Sequence, residues 1–191
     1  KKIDTYGIPL VKTFEPGGTR VGEGLRRILL DSQNKNLSPV TELMLYAADR
    51  AQHVEEVIKP ALDQGKWVIC DRFFDATVAY QGSARGQDIR LIQFLNEKVT
   101  QGIRPDMTFL LDCPVEMGLD RAIERDKRHS HKGQDRFEME KVDFHLEVKR
   151  AYLELARENQ KRFVVIDATL AEDDVEEKMF QYLKPFLVSY G

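Results

Sequence analysis

Between Trp67 and Asp71 the sequence runs through four apolar residues, stops at an acid and follows it at once with Arg72. A short continuous apolar run of this kind reads as a strand buried on both faces of a parallel sheet. In open α/β sheets ligands sit beyond the carboxyl ends of the strands, so Asp71 and Arg72 would be delivered into a binding crevice. An aspartate there suits Mg2+ or its waters, and a guanidinium offers a planar fork to phosphate oxygens. For an isolated Asp-Arg pair the plain alternative is a strand-end salt bridge. Here Tyr80-Gln81-Gly82 follows and other phosphate-type features precede, which favours the binding reading.

The rest of the chain repeats the same grammar. Lys1 to Tyr6 reads as the tail of a helix closed by Gly7, and Ile8 to Phe14 as a strand ending in the turn Glu15-Pro16-Gly17-Gly18-Thr19. Helices are expected over Gly22 to Leu30 and from Pro39, behind the cap Ser38, to about Leu62. Another amphipathic helix spans Gln87 to Val99. Met107 to Leu111 is a second apolar run ending in an acid, Asp112, with Pro114 opening a helix behind it. Glu140 to Gln160 reads as a long helix, Phe163 to Ile166 as the final strand before Asp167-Ala168-Thr169, and Ala171 to Leu183 as the last helix. Strand and helix alternate throughout, which is the pattern of an α/β fold with a parallel sheet flanked by helices.

Composition narrows the function. A chain of 191 residues, 42% hydrophobic and 32% charged, fits one soluble globular domain with a substantial core. The net charge of −3 argues against a general nucleic-acid binder. Cys70 and Cys113 lack any metal-ligand spacing and read as reduced residues of a cytoplasmic protein. No apolar run is long enough to cross a bilayer.

Two further stretches carry chemistry. Tyr46 and Arg50 lie four apart, hence on one helix face, with Leu43 and His53 close by. An aromatic beside an arginine can stack a base and hold a phosphate or carbonyl; on spacing alone a core tyrosine beside a solvated arginine is the favoured reading. The segment from Arg125 to Arg136 is almost wholly polar, with His129 and His131 inside it. It reads as a solvated loop whose basic excess suits a lid closing over a polyphosphate. The two histidines have no further ligands at useful spacing and read as surface residues.

Taken together, these residues resemble the bacterial thymidylate kinases, P-loop nucleoside monophosphate kinases. The resemblance rests on Glu15-Pro16-Gly17-Gly18-Thr19, Tyr46-Ala47-Ala48-Asp49-Arg50 and Asp71-Arg72-Phe73 followed by Ala79-Tyr80-Gln81-Gly82. It runs on through Asp135-Arg136 to Asp167-Ala168-Thr169. It implies a three-layer P-loop NTPase-like fold, a homodimer, and transfer of the γ-phosphoryl group of ATP to dTMP with Mg2+. The family's GxxxxGKS/T phosphate loop does not occur in this sequence. The expectation is therefore a single kinase domain over 1–191 lacking its first strand and phosphate loop, roughly 20 residues. A sheet without its central strand would leave unpaired backbone groups at about 1–3 kcal/mol each.

The resemblance also implies roles. Tyr46 would stack on thymine, with Arg50 and Gln81 on the base edge and Thr77 near the sugar. Arg26 and Arg72 would hold the dTMP phosphate, beside Pro16 of the turn, and Tyr80 would wall off the 2′ position. Arg72, Asp71 and Glu15 would serve catalysis, the two acids lying near Mg2+. Arg125, Lys127, Arg128 and Arg136, in a lid of about 125–138, would neutralise charge in transfer. Ala168 and Thr169 would border the adenine. One residue departs from the pattern: the family usually has Arg just before Glu-Pro-Gly-Gly, and this chain has Phe14. The rival readings are another nucleoside monophosphate kinase and a nucleotide-binding protein without kinase activity.

Overall fold

The computed structural model describes residues 3–129 and 136–190. A 3-10 turn, Ile3–Tyr6, leads into β1 (Leu10–Phe14), and α1 (Arg20–Leu30) follows the glycine-rich turn. Thr19 caps α1 by accepting from the Gly22 N–H at 2.9 Å. Ser38 caps α2 (Pro39–His53), accepting from the Thr41 N–H at 3.1 Å. These side chains take up N–H groups that a helix start leaves without partners. Past His53 the helix widens into a π-helical stretch, Val54–Ile58, and closes as α3 (Lys59–Asp63). Strand β2 (Trp67–Asp71) leads into α4 (Phe74–Thr77), a second π-helical stretch Val78–Ala84, and α5 (Ile89–Thr100). The chain continues through β3 (Thr108–Asp112), α6 (Val115–His129), α7 (Val142–Glu158), β4 (Phe163–Asp167) and α8 (Glu172–Tyr190).

The strands pair in parallel, as the alternation of elements requires, and the α/β class holds. Among the described residues they form two ladders. Leu10 faces Trp67 through to Phe14 facing Asp71, and Thr108 faces Phe163 through to Asp112 facing Asp167. Each ladder is extended one step at its carboxyl end, by Glu15 N–H to Asp71 O at 2.9 Å and by Ala168 N–H to Asp112 O at 2.8 Å. The expected burial of β2 on both faces is corrected: Ile69 is 41% exposed, and Leu111 and Val165 are similarly open. Each strand has one hydrogen-bonded neighbour here, so its apolar side chains are only partly covered.

Packing draws the elements around the end of β2. Val54, Ile58 and Phe73 form one buried group, with Val68, Phe74 and Ile103 against it. Ala79, Val148 and Ala151 form another, covered by Tyr80, Phe144 and Tyr152. Leu29, Leu43 and Ile92 are fully buried, each contributing roughly 1.5–3 kcal/mol. No helix among the described residues is long and apolar enough to cross a membrane.

Candidate active site

One face of α2 carries Glu42, Tyr46, Asp49, Arg50 and His53, spaced so that their side chains stack along a single stripe. Such a stripe ordinarily faces water. Here Glu42, Asp49, Arg50 and His53 are all buried, so each needs a partner. Arg50 Nε donates to Glu15 Oε2 at 2.8 Å, and its Nη1 donates to Thr77 Oγ1 at 2.9 Å and Asn96 Oδ1 at 3.1 Å. His53 Nδ1 donates to Glu15 Oε1 at 2.9 Å, while Nε2 shares a 2.6 Å bond with the Thr13 hydroxyl. Asp49 Oδ1 accepts the Gly17 N–H at 2.9 Å, which fixes the turn after β1 against α2. Its Oδ2 is buried with no hydrogen-bond partner among the described residues. Burial pushes the Asp49 carboxyl above the ordinary carboxylate range, the Gly17 bond working the other way.

Glu15, expected near Mg2+, is drawn into this network. Both of its oxygens are engaged, one by a guanidinium and one by an imidazole. Glu15, His53 and Cys70 bring one ligand atom each within 4.8 Å of one another, and all three also make hydrogen bonds. The Cys70 thiol donates to the Arg72 carbonyl at 2.9 Å, and burial pushes that thiol well up, so it stays protonated. Asp71 fits a hard cation better: it is exposed at the end of β2, and its carboxylate has no hydrogen bond among the described residues.

Directly after β2, Arg72 adopts φ 65°, the left-handed region that a side chain other than glycine's enters at about 1–3 kcal/mol. That turn throws the guanidinium over the Tyr80 ring, 5.2 Å from its centroid. Tyr80 foremost, with Tyr152, Tyr46 and Asp71, raises the pKa of the Arg72 guanidinium, against the opposing effect of burial. Burial in turn pushes the Tyr46 and Tyr152 hydroxyls well up. No carboxylate forms an ion pair with Arg72 among the described residues, so its charge is available to an anion.

Glu15, Tyr46, Arg50, Arg72, Thr77, Tyr80 and Gln81 come together on one cleft, with Ala76 completing the wall. Arg26 lies beside it. Its Nη1 donates to the Pro16 carbonyl at 2.8 Å, and its guanidinium sits 5.8 Å from the Phe14 ring centroid. The residue that departs from the family pattern is thus a platform for this arginine. Burial lowers the Arg26 pKa, with Tyr46 opposing.

Other expected residues lie elsewhere. Arg136 is not an open lid charge: it is 8% exposed, donating from Nη2 to Glu42 Oε2 at 2.7 Å and from Nε to the Leu29 carbonyl. The side chains of Arg125, Lys127, Arg128 and His129, and all of His131, lie outside the described residues, as does most of the expected lid. Ala168 and Thr169 sit at the carboxyl end of the other ladder. There Ala168 O accepts from Arg121 Nη1 at 2.7 Å, and Thr169 N–H and Oγ1 both donate to Asp167 Oδ1. These two Thr169 bonds hold the Asp167 carboxyl below the usual carboxylate range. Sequence reasoning missed Glu42, Asn96, Thr13 and Arg121. Only Glu42 left a usable signal, one helical turn before Tyr46 on the same stripe.

Known proteins share this architecture. The family model described as thymidylate kinase matches residues 1–179. The thymidylate kinase of Desulfosudis oleivorans is 51% identical over 183 residues, 95% of this chain and 86% of the relative. That of Pelobacter propionicus is 48% identical over 177 residues, 93% and 81% of the two chains. Among solved structures, the crystal structure of thymidylate kinase from Ehrlichia chaffeensis superposes with a TM-score of 0.71 at 32% identity. The match covers 91% of this chain and 81% of that one.

Proposed function

The chain belongs to the thymidylate kinase family, and from that premise we infer that it transfers the γ-phosphoryl group of ATP to dTMP, giving dTDP and ADP. The observation that carries the acceptor site is the single cleft joining Tyr46, Arg50, Arg72 and Gln81. The Tyr46 ring offers a face for thymine, and Arg50 keeps Nη2 free of hydrogen bonds among the described residues for a base carbonyl. Thr77 and Tyr80 border the sugar. Arg72, with Arg26 behind it, suits the 5′-phosphate.

The chemistry is positioning and charge neutralisation, since a phosphate acceptor is already anionic and needs no general base. Arg72 draws the acceptor phosphate to the end of β2 and offsets its charge as the donor phosphoryl approaches. Its strained backbone is held by the cleft before substrate arrives, so little reorganisation accompanies binding. Asp71 is the residue that would hold Mg2+, which would supply charge neutralisation during transfer. Glu15 serves instead to fix Arg50. Ala168 and Thr169 suit the adenine border at the second ladder, and the lid of about 125–138 suits the polyphosphate.

Two coarser features belong to the same reading. Two free thiols, Cys70 and Cys113, support a reducing compartment, the cytoplasm. Val21, Ile28, Val40, Met44, Ile89 and Phe94 are exposed apolar residues on α1, α2 and α5, and they support pairing through these helices into a homodimer. The test is ADP release from ATP and Mg2+ with each deoxynucleoside monophosphate, beside calorimetric titration of the same acceptors. The reading expects a strong preference for dTMP and a roughly 100- to 1,000-fold lower kcat in Arg72→Ala. Tight dTMP binding without turnover would leave a nucleotide-binding protein; preference for another acceptor would leave a different monophosphate kinase.

A further inference from the structure

We propose that Glu42 is a positioning residue that sets the hydrogen-bond polarity of the base pocket by orienting the Gln81 amide. The proposal rests on the reading of the cleft as a pyrimidine nucleotide site. Glu42 lies one helical turn before Tyr46 and is 1% exposed. Its Oε1 accepts from Gln81 Nε2 at 2.8 Å and from Arg85 Nε at 3.4 Å, and its Oε2 accepts from Arg136 Nη2 at 2.7 Å. An ionised carboxylate only accepts, so the end of the Gln81 amide that meets it must be NH2. The other end, Oε1, has no hydrogen bond among the described residues, and Gln81 lines the cleft beside Tyr46 and Arg50.

The pocket therefore shows a base an acceptor from Gln81 and a donor from Arg50. Thymine and uracil answer with N3–H and the O4 carbonyl. Cytosine offers the reverse at both places, a lone pair on N3 and an amino group on C4, and each would face a like group. Sites that hydrogen-bond a substrate edge reject the mismatched base strongly, because their own buried groups are left unpaired. A glutamine free to rotate its amide would lose half of this code. Glu42 prevents the rotation, and its two arginines hold Glu42.

Glu42→Gln keeps the shape but can present either NH2 or O to Gln81. The discrimination between dTMP and dCMP, measured as the ratio of their kcat/KM values, is expected to fall roughly 10- to 100-fold. KM for dTMP should rise with kcat little changed, since Gln81 touches the base and not the reacting phosphate. Because the substitution strips Arg136 of its partner, the double variant Glu42→Gln/Arg136→Gln is measured beside it. A folded variant, by its melt, whose ratio stays within about twofold of the parent overturns the proposal. If neither variant folds, the Gln81 side-chain amide in the parent protein decides by NMR. Side-chain amide protons that exchange slowly with water support the proposal, and fast-exchanging ones overturn it. A parent protein that binds no pyrimidine monophosphate fails the nucleotide reading instead, a separate outcome.

Discussion

Glu15→Gln separates a structural carboxylate from a metal ligand. Glu15 and Arg50 meet at 2.8 Å with 2% of each side chain exposed, and Glu15 also takes the His53 Nδ1 proton donor. Removing one charge of a buried pair costs about 3–5 kcal/mol, because the surviving charge is left without compensation in a low-dielectric site. Glutamine keeps an acceptor for Arg50 Nε, which places the expected loss near the lower end, about 3 kcal/mol. For a chain of this length each kcal/mol lowers the melting temperature by roughly 2–4 °C, so the shift should be about 6–12 °C. Melts are recorded by circular dichroism with Mg2+ and with chelator. The double variant Glu15→Gln/Arg50→Gln closes a cycle whose coupling should be favourable by roughly 0.5–3 kcal/mol. The argument is refuted by a variant that melts within about 2 °C of the parent. It is refuted equally by Mg2+ stabilising the parent and not the variant, since that result makes Glu15 a metal ligand.

Asp49 gives a pH signature. Its carboxyl is raised by burial, so the folded form binds the proton more tightly than the unfolded chain does. The benefit is complete below the ordinary aspartate value of 3.8 and disappears as pH rises through the higher folded pKa. Urea midpoints of the parent should therefore fall relative to Asp49→Asn as pH climbs from that value; a constant difference across the range contradicts the assignment. The glycines give a steric contrast. A Cβ on Gly18 would lie 2.7 Å from the His53 ring and 2.8 Å from the Phe14 carbonyl, whereas one on Gly24 meets nothing within 4 Å. Gly18→Ala should destabilise by about 1–3 kcal/mol, and Gly24→Ala, inside α1, should stabilise by roughly 0.5–1 kcal/mol, both read from denaturant midpoints.

The order of strands and helices was legible because apolar periodicity is a local property of the chain. The π-helical stretches were not. The pattern from Pro39 to Leu62 reads as one continuous helix, and nothing in it marks the wider turn at Val54–Ile58, where Val54 and Ile58 are both buried. The cleft residues were legible where a motif grouped them, as with Arg72 and Gln81. Glu42 was legible only by its place on the Tyr46 stripe, and the burial of Glu42 and Asp49 was not legible for a physical reason: a charged residue on a helix reads as solvated until the partner that covers it is known. Arg136 shows the same limit from the other side. Its neighbours are polar, so local composition placed it on a lid, yet the group that claims it is Glu42, 94 positions away.

The register of β1 on β2 also determines what can be seen with light. The sole tryptophan, Trp67, opens β2 opposite Leu10, and the cleft begins where that strand ends. Four strand steps set the Trp67 Cα roughly 13–14 Å from that of Asp71, where the cleft begins. Indole emission should therefore follow unfolding and be nearly blind to what occupies the cleft. The tyrosines are placed the other way, with Tyr46 and Tyr80 in the cleft wall itself. Excited at the two wavelengths, the molecule carries its own denaturation gauge at one end of a strand and its own occupancy gauge at the other.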